Sequence, residues 1–237
     1  MRQQPFGDFS AAVLRFPKLL VAAVNGPAVG VGVTLLPHCD LVYAFGGAAE
    51  GGGLKPGAIP RASSSSVSPG GAGDRQRRGA ASSLAGGAGV GTGVGVGAAS
   101  FWTPFFRLAI VPEFCSSVTF PEILGWSLAN EMLIMGRKLD AREAQASGLV
   151  SAVVTADTEE AFLGQVKDHL RQNALGASMA AESVKTFKRI MWRDRRPRLL
   201  RVLADECVEL DRRMQMGHPE AALKHLARRP RDGSSKL

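Results

Sequence analysis

Residues 45–100 set the terms on which this chain can fold. Gly and Ala dominate them, SSSSVSPGG and GVGTGVGVG tracts run through them, and a basic DRQRRG island interrupts them. So little large apolar surface does not offset the entropy of ordering a chain, and the stretch is expected to be disordered. Its glycines do not read as a phosphate cradle, because no Gly-Lys-Ser/Thr follows and no strand-to-helix context frames them. Any core must come from the flanking residues 1–44 and 101–230. With 237 residues, 45% of them hydrophobic, the chain is long enough for one sizeable core and a helical appendage.

Composition narrows the class further. Cys39, Cys115 and Cys207 are odd in number and lack metal-ligand spacing, which argues against a disulfide framework or a zinc site and for a reducing compartment. The opening MRQQPFGDFSAAVLRF has no apolar run followed by a small-residue cleavage site, so no secretory signal is expected. The longest apolar run, residues 19–36, is broken by Asn25, Gly26 and Pro27. It falls short of the ~20 continuous residues a membrane span requires, and the chain reads as soluble. The net charge of +8 is concentrated in residues 185–201 and in HLARRPR, residues 225–231. Acidic residues lie nearby and aromatics are scarce there, the pattern of solvated helix faces rather than of a nucleic-acid surface.

The ordered parts predict an α/β fold. A helix ends at Phe16 before Pro17, and LLVAAV (19–24) is a short buried strand punctuated by Asn25-Gly26-Pro27. Gly30 and Gly32 allow close backbone approach at the start of a helix through Leu36, and DLVYA (40–44) is the next strand. Further on, SLANEMLIMG (127–136) and DAREAQASG (140–148) read as helices, the second with an Asp140/Glu143 capping box, and LVSAVV (149–154) as a strand. Residues 158–172, 179–192, 197–216 and 219–228 are helix candidates. Strands early and helices late predict an α/β core with a helical extension.

Several side chains invite a chemical role and are given a plainer one. Ser116 and Ser117 lack a G-x-S-x-G elbow and are expected to cap a helix. Cys115 has no neighbouring base in sequence and reads as a packing thiol. His38 beside Cys39 and Asp40 reads as a structural or solvated histidine rather than a metal ligand. Asp205, Glu206 and Glu209 read as a solvated helix face or subunit contact.

Two stretches carry a family resemblance: VAAVNGPAVGVGVTLLPHCDLVYA (21–44) and FWTPFFRLAIVPEFCSSVTFPEILG (101–125). Together they resemble the crotonase, or enoyl-CoA hydratase/isomerase, family, over residues 1–44 and 101–237. The resemblance implies a crotonase-like core of repeated ββα units, N-terminally truncated relative to the family pattern, with a C-terminal helical trimerisation region. Residues 1–44 would be a partial core, 45–100 an insert, 101–155 the remainder of the core, 156–230 the helical region and 231–237 a tail. In the family the NGPAxGxG turn supplies an oxyanion-hole N–H, which falls on Val31 here, and Gly30 and Phe105 would line the acyl-CoA site. The two hydratase glutamates would stand at Thr34 and Phe105, so both are missing. The isomerase branch keeps its base in a Pro-Glu-Gly-Cys-Ser-Ser pattern, which here is PEFCSS and makes Glu113 the base. Relative to that branch, Phe114 replaces a Gly, and Ala109-Ile110 replace Gly-Gln.

The reaction this implies moves a double bond of a 3-enoyl-CoA to the trans-2 position in the β-oxidation of unsaturated fatty acids. It takes a proton from C2 and returns one at C4, through an enolate. One base that reaches both carbons and donors aimed at the thioester oxygen suffice, and no metal or redox cofactor is required, the substrate itself carrying coenzyme A. Phe105, Val111 and Phe114 are expected to desolvate Glu113 and raise its pKa. The alternative is a catalytically inactive acyl-CoA-binding homologue. Ser235-Lys236-Leu237 closes the chain as a peroxisomal address, which implies a peroxisomal import receptor as partner. The expected partners are otherwise the acyl-CoA and two further copies of the chain, with neither nucleic acid nor a membrane span.

Overall fold

A computed structural model of the chain describes residues 5–48, 97–173 and 180–228. Helix α1 (Pro5–Arg15) buries Ser10 and Leu14 and stops before Pro17, whose ring disfavours a helical residue ahead of it. Strand β1 (Val21–Val24) leads into the Asn25-Gly26 turn, and β2 (Pro27–Val29) leaves the turn in a different sheet. A one-turn helix α2 (Val31–Thr34), a 3-10 helix (Leu36–His38) and strand β3 (Leu41–Phe45) follow. Beyond lie β4 (Ser100–Trp102), α3 (Ser116–Leu124), α4 (Trp126–Leu133), β5 (Leu139–Asp140), α5 (Ala141–Ala146) and β6 (Ala152–Val154). The chain continues through α6 (Glu159–Asn173), α7 (Ala180–Met191), α8 (Arg195–Gln215) and α9 (His218–Arg228).

Two small sheets organise these elements. Strands β1, β3 and β6 form one in that order, parallel throughout, with Val21 opposite Leu41 and Tyr43 opposite Ala152. Strands β2, β4 and β5 form the other, β2 and β4 parallel and β4 and β5 antiparallel. Strand β3 shows why its sequence is continuously apolar. Val42 and Ala44 face the main core with Val33, Leu36, Phe101, Phe120 and Met132. Tyr43 and Phe45 face the second cluster with Val154, Phe162 and Val166 of β6 and α6. Alternate residues point to opposite faces, and both faces are covered, as a parallel strand requires. A third cluster joins Leu14 of α1 and Cys115 to Trp192, Leu199 and Leu203 of the C-terminal helices.

The architecture is mixed α/β with a helical C-terminal region, as the sequence predicts. The Asp140/Glu143 capping box is formed, with Glu143 N–H donating to Asp140 Oδ1 at 2.8 Å and Asp140 N–H to Glu143 Oε2 at 3.0 Å. Two boundaries shift. Phe45 and Ser100, the ends of the stretch expected to lack order, are strand residues, and Ala99 N–H donates to Phe45 O at 2.8 Å. Buried Phe45, Ala98 and Ala99 belong by hydrophobicity to the flanking strands; most of that stretch lies outside the described residues. Strand β2 occupies residues that the sequence predicts as a turn, because three residues opening on Pro carry no period-two signal and their partner Ser100–Trp102 is remote.

The basic segment 185–201 is not wholly solvated either. Lys188 is 6% exposed and donates to Asp40 Oδ2 at 2.7 Å and to Lys18 O at 2.8 Å. The same Asp40 oxygen accepts the Leu20 N–H at 2.7 Å. This buried pair fastens α7 to the junction of β1 and β3. No helix among the described residues is long and apolar enough to cross a membrane.

Candidate active site

The site forms where α2 begins. Gly30 has φ +56°, a left-handed conformation that glycine adopts without steric cost. An added Cβ would meet no heavy atom within 4 Å, so backbone conformation and not crowding calls for glycine. Its N–H donates to Trp102 O at 2.9 Å, which ties α2 to β4, and its carbonyl accepts from Val33 N–H at 2.8 Å and Thr34 N–H at 3.1 Å. Val31 is the first residue of α2 and is 40% exposed. Its N–H is one of the first-turn donors that a helix leaves without an internal acceptor.

Glu113 comes to this helix from 79 residues away. The hydroxyl of Thr34 lies 3.5 Å from Glu113 Oε1. Thr34, which stands where the resembled hydratases carry a glutamate, thus faces Glu113, and its single hydroxyl proton has the Glu113 carboxylate and Gly30 O as acceptors at the same 3.5 Å. Burial raises the Glu113 pKa to about 7; the Thr34 hydrogen bond opposes the rise and the charge of Glu206 adds to it. A carboxyl group titrating there is poised to accept and return a proton near neutral pH.

The turn that presents Glu113 is strained. Ala109, Phe114 and Cys115 have φ of 52°, 53° and 63°, and a non-glycine residue in this region costs on the order of 1 kcal/mol. Two of the three, Ala109 and Phe114, are the positions at which the resembled pattern has glycine. The phenyl ring of Phe114 is fully buried and stacks on His38, ring centroids 4.7 Å apart, with Phe6 and Phe9 edge-on at 6.0 Å. Its ring neighbours therefore belong to α1 and the 3-10 helix. Phe105 is buried as well, its carbonyl accepting from Ile110 N–H at 3.1 Å, whereas Val111 is only partly covered.

Among the polar side chains around the turn, His38 and Cys115 agree with the sequence reading and Glu206 departs from it. His38 is structural, its Nε2 lying 2.7 Å from Phe114 O. A carbonyl oxygen only accepts, so Nε2 carries the proton and Nδ1 is bare; Nδ1 is buried without a partner among the described residues. Burial, aided by the charge of Arg195, lowers the His38 pKa to about 4 against the opposing hydrogen bond. Cys115 is a buried packing thiol directed at Leu199 O, its pKa pushed up to about 12 chiefly by burial. Ser116 Oγ accepts the Glu113 N–H at 3.1 Å. Glu206 is not on a solvated face: its carboxylate accepts the N–H groups of Cys115 and Ser117 at 2.6 and 3.0 Å, and the Ser117 hydroxyl. Only its distance of about ninety residues from Glu113 hid it, since helical periodicity places it on α8 but not against the turn.

His38, Cys39 and Asp40 do not converge. Cys39 Sγ points to Leu35 O and Asp40 to Lys188, and no metal-binding group of three such side chains occurs among the described residues. Ser235, Lys236 and Leu237 lie outside the described residues.

Comparison with known proteins gives the family. The sequence profile described as enoyl-CoA hydratase/isomerase matches residues 93–218, more than half of the chain. The chain is 30% identical over 218 residues to mouse (Mus musculus) enoyl-CoA delta isomerase 3, peroxisomal, covering 92% of this chain and 51% of that protein. It is 32% identical over 182 residues to mouse chromodomain Y-like protein 2, covering 77% and 25%. It thus spans between a quarter and about half the length of these relatives. Among solved structures, OdaA of Pseudomonas aeruginosa superposes with a TM-score of 0.68 at 29% identity, over 97% of this chain and 70% of that one. The chain belongs to the enoyl-CoA hydratase/isomerase family.

Proposed function

We propose that the chain isomerises a 3-enoyl-CoA to the trans-2-enoyl-CoA, with Glu113 as the base that carries the proton. One observation carries the reading: the Glu113 carboxylate, its pKa raised to about 7, lies 3.5 Å from the hydroxyl of Thr34 on the helix whose first N–H belongs to Val31. Glu113 takes the proton from C2, and the C–H electrons form the enolate, whose oxygen accepts the Val31 N–H. The carboxyl then delivers its proton to C4, and the double bond comes to rest between C2 and C3. No electron leaves the substrate, so the reaction calls for no redox cofactor. A hydratase would hold and activate a water between two carboxylates, and Thr34 and Phe105 provide neither.

The setting proposed for this reaction is the peroxisomal oxidation of unsaturated fatty acids. The terminal Ser235-Lys236-Leu237 supports it through recognition by an import receptor, and the peroxisomal relative points the same way. The chain is further proposed to work as a homotrimer through its C-terminal helices, which leave Phe187, Ile190, Met191, Val208 and Met214 more than half exposed.

The test is turnover of a purified 3-enoyl-CoA by the recombinant chain, with Glu113→Gln as control. Turnover that falls by about 10³-fold or more in the variant is the expected result. The second reading is an acyl-CoA-binding homologue without catalysis; the chain is as similar to a chromodomain Y-like protein as to the delta isomerase, so similarity does not choose between activities. Well-folded protein that binds acyl-CoA and leaves it unchanged would establish it.

A further inference from the structure

We propose that Glu206 of α8 is a positioning residue for Glu113, acting through the left-handed Phe114–Cys115 turn that it grips together with His38. The kinetic arm of this inference rests on Glu113 being the base; the structural arm does not. Two consecutive non-glycine residues at φ 53° and 63° persist only where the surroundings over-determine them. The surroundings here come from two sides. His38 Nε2–H donates to Phe114 O at 2.7 Å and its ring stacks on the Phe114 ring. From the other side Glu206 takes the Cys115 N–H at 2.6 Å and the Ser117 N–H at 3.0 Å, together with the Ser117 hydroxyl.

An ordinary helix cap would be local, yet the N-cap residue of α3, Cys115, makes no side-chain cap bond. The cap arrives instead from the C-terminal helical region, 91 residues further along the chain than Cys115. A partly buried carboxylate that accepts from three donors is a strong anchor. It also sets a negative charge near a second carboxylate, which disfavours ionisation of Glu113. The other groups facing this pair are the Thr34 hydroxyl, the thiols of Cys115 and Cys207, both raised by burial, and Arg195, which faces His38 and Cys115. The charge of Glu206 therefore adds to what burial does to Glu113.

The experiment is a carbon-detected NMR titration of the Glu113 carboxyl in the full chain, wild type against Glu206→Gln and His38→Leu, with kcat and KM measured on the same samples. In Glu206→Gln the Glu113 midpoint is expected to move down by at least about half a pH unit. The same variant is expected to lose about tenfold in kcat with KM within about threefold. His38→Leu keeps the apolar bulk and removes the donor; it is expected to lower kcat likewise, and His38→Gln, which restores an N–H, to recover part of the loss. An unmoved Glu113 midpoint in folded Glu206→Gln overturns the inference, as does an unchanged kcat. Should Glu206→Gln not fold, Ser117→Ala, which strips one donor from Glu206 and so loosens the grip on the turn, is expected to lower kcat with KM within about threefold, and an unchanged kcat overturns the inference. Absence of turnover in the wild type defeats the isomerase reading alone, because the titration still decides the positioning role.

Discussion

Glu113 is a carboxyl group whose function and whose stability cost have the same physical origin. Burial raises its folded-state pKa from an ordinary carboxylate value to about 7, so between about pH 4.5 and 7 the folded state holds more protons than the unfolded one. Stability contributed by the protonated group is therefore complete below the unfolded pKa and lost as pH rises through about 7. Glu113→Gln is expected to gain on the order of 2 kcal/mol over wild type at pH 8 and nothing at pH 4, read from urea melts at the two pH values. Catalysis runs the opposite way, because only the carboxylate abstracts a proton: kcat/KM should fall below about pH 7. Thr34→Val removes the donor that favours the carboxylate, so the acid limb should move to higher pH, opposite to the shift expected for Glu206→Gln. Ala109, at φ 52°, is partly covered, and Ala109→Gly is expected to stabilise the chain by up to about 1 kcal/mol. Phe114→Gly relieves the same strain but deletes a buried ring, and should destabilise by about 3 kcal/mol.

At the level of elements, local pattern announced the helices better than the sheets. The capping box of α5, the Pro17 stop of α1 and the four C-terminal helices lie within a few residues of where hydrophobic period and cap residues put them. Strands β2, β4 and β5 have two or three residues each and hold position by pairing with remote partners, which no short window contains. The Asp40–Lys188 pair was invisible for the same reason. Removing one member leaves a buried charge unpaired, so Lys188→Met is expected to cost on the order of 3 kcal/mol, measured by denaturant unfolding. The Phe45–Ala99 hydrogen bond brings both ends of the long glycine-rich connection together.

Over the whole molecule, the C-terminal helices serve the core and remain unfinished on their outer side. Leu199 and Leu203 of α8 and Trp192 pack under α1 and Cys115, while Met191, Val208 and Met214 stay exposed. Self-association through that outer side is the expected state, and light scattering on the purified chain should return a trimer mass; replacing Met191, Val208 and Met214 by glutamate should return a monomer. The sequence by itself determined that the core comes mainly from residues on either side of the glycine-rich stretch, that the class is α/β with a helical end, and that Gly30, Val31 and Glu113 fall on one resembled family pattern. Those features are written in hydrophobic period, punctuation by Gly and Pro, and contiguous motifs, all of them local. Only the tertiary structure decided that Thr34 faces Glu113, that His38 and Glu206 grip its turn, and that Lys188 is buried, because each of these is a contact between groups roughly 75 to 150 residues apart, and nothing local to either partner encodes the other.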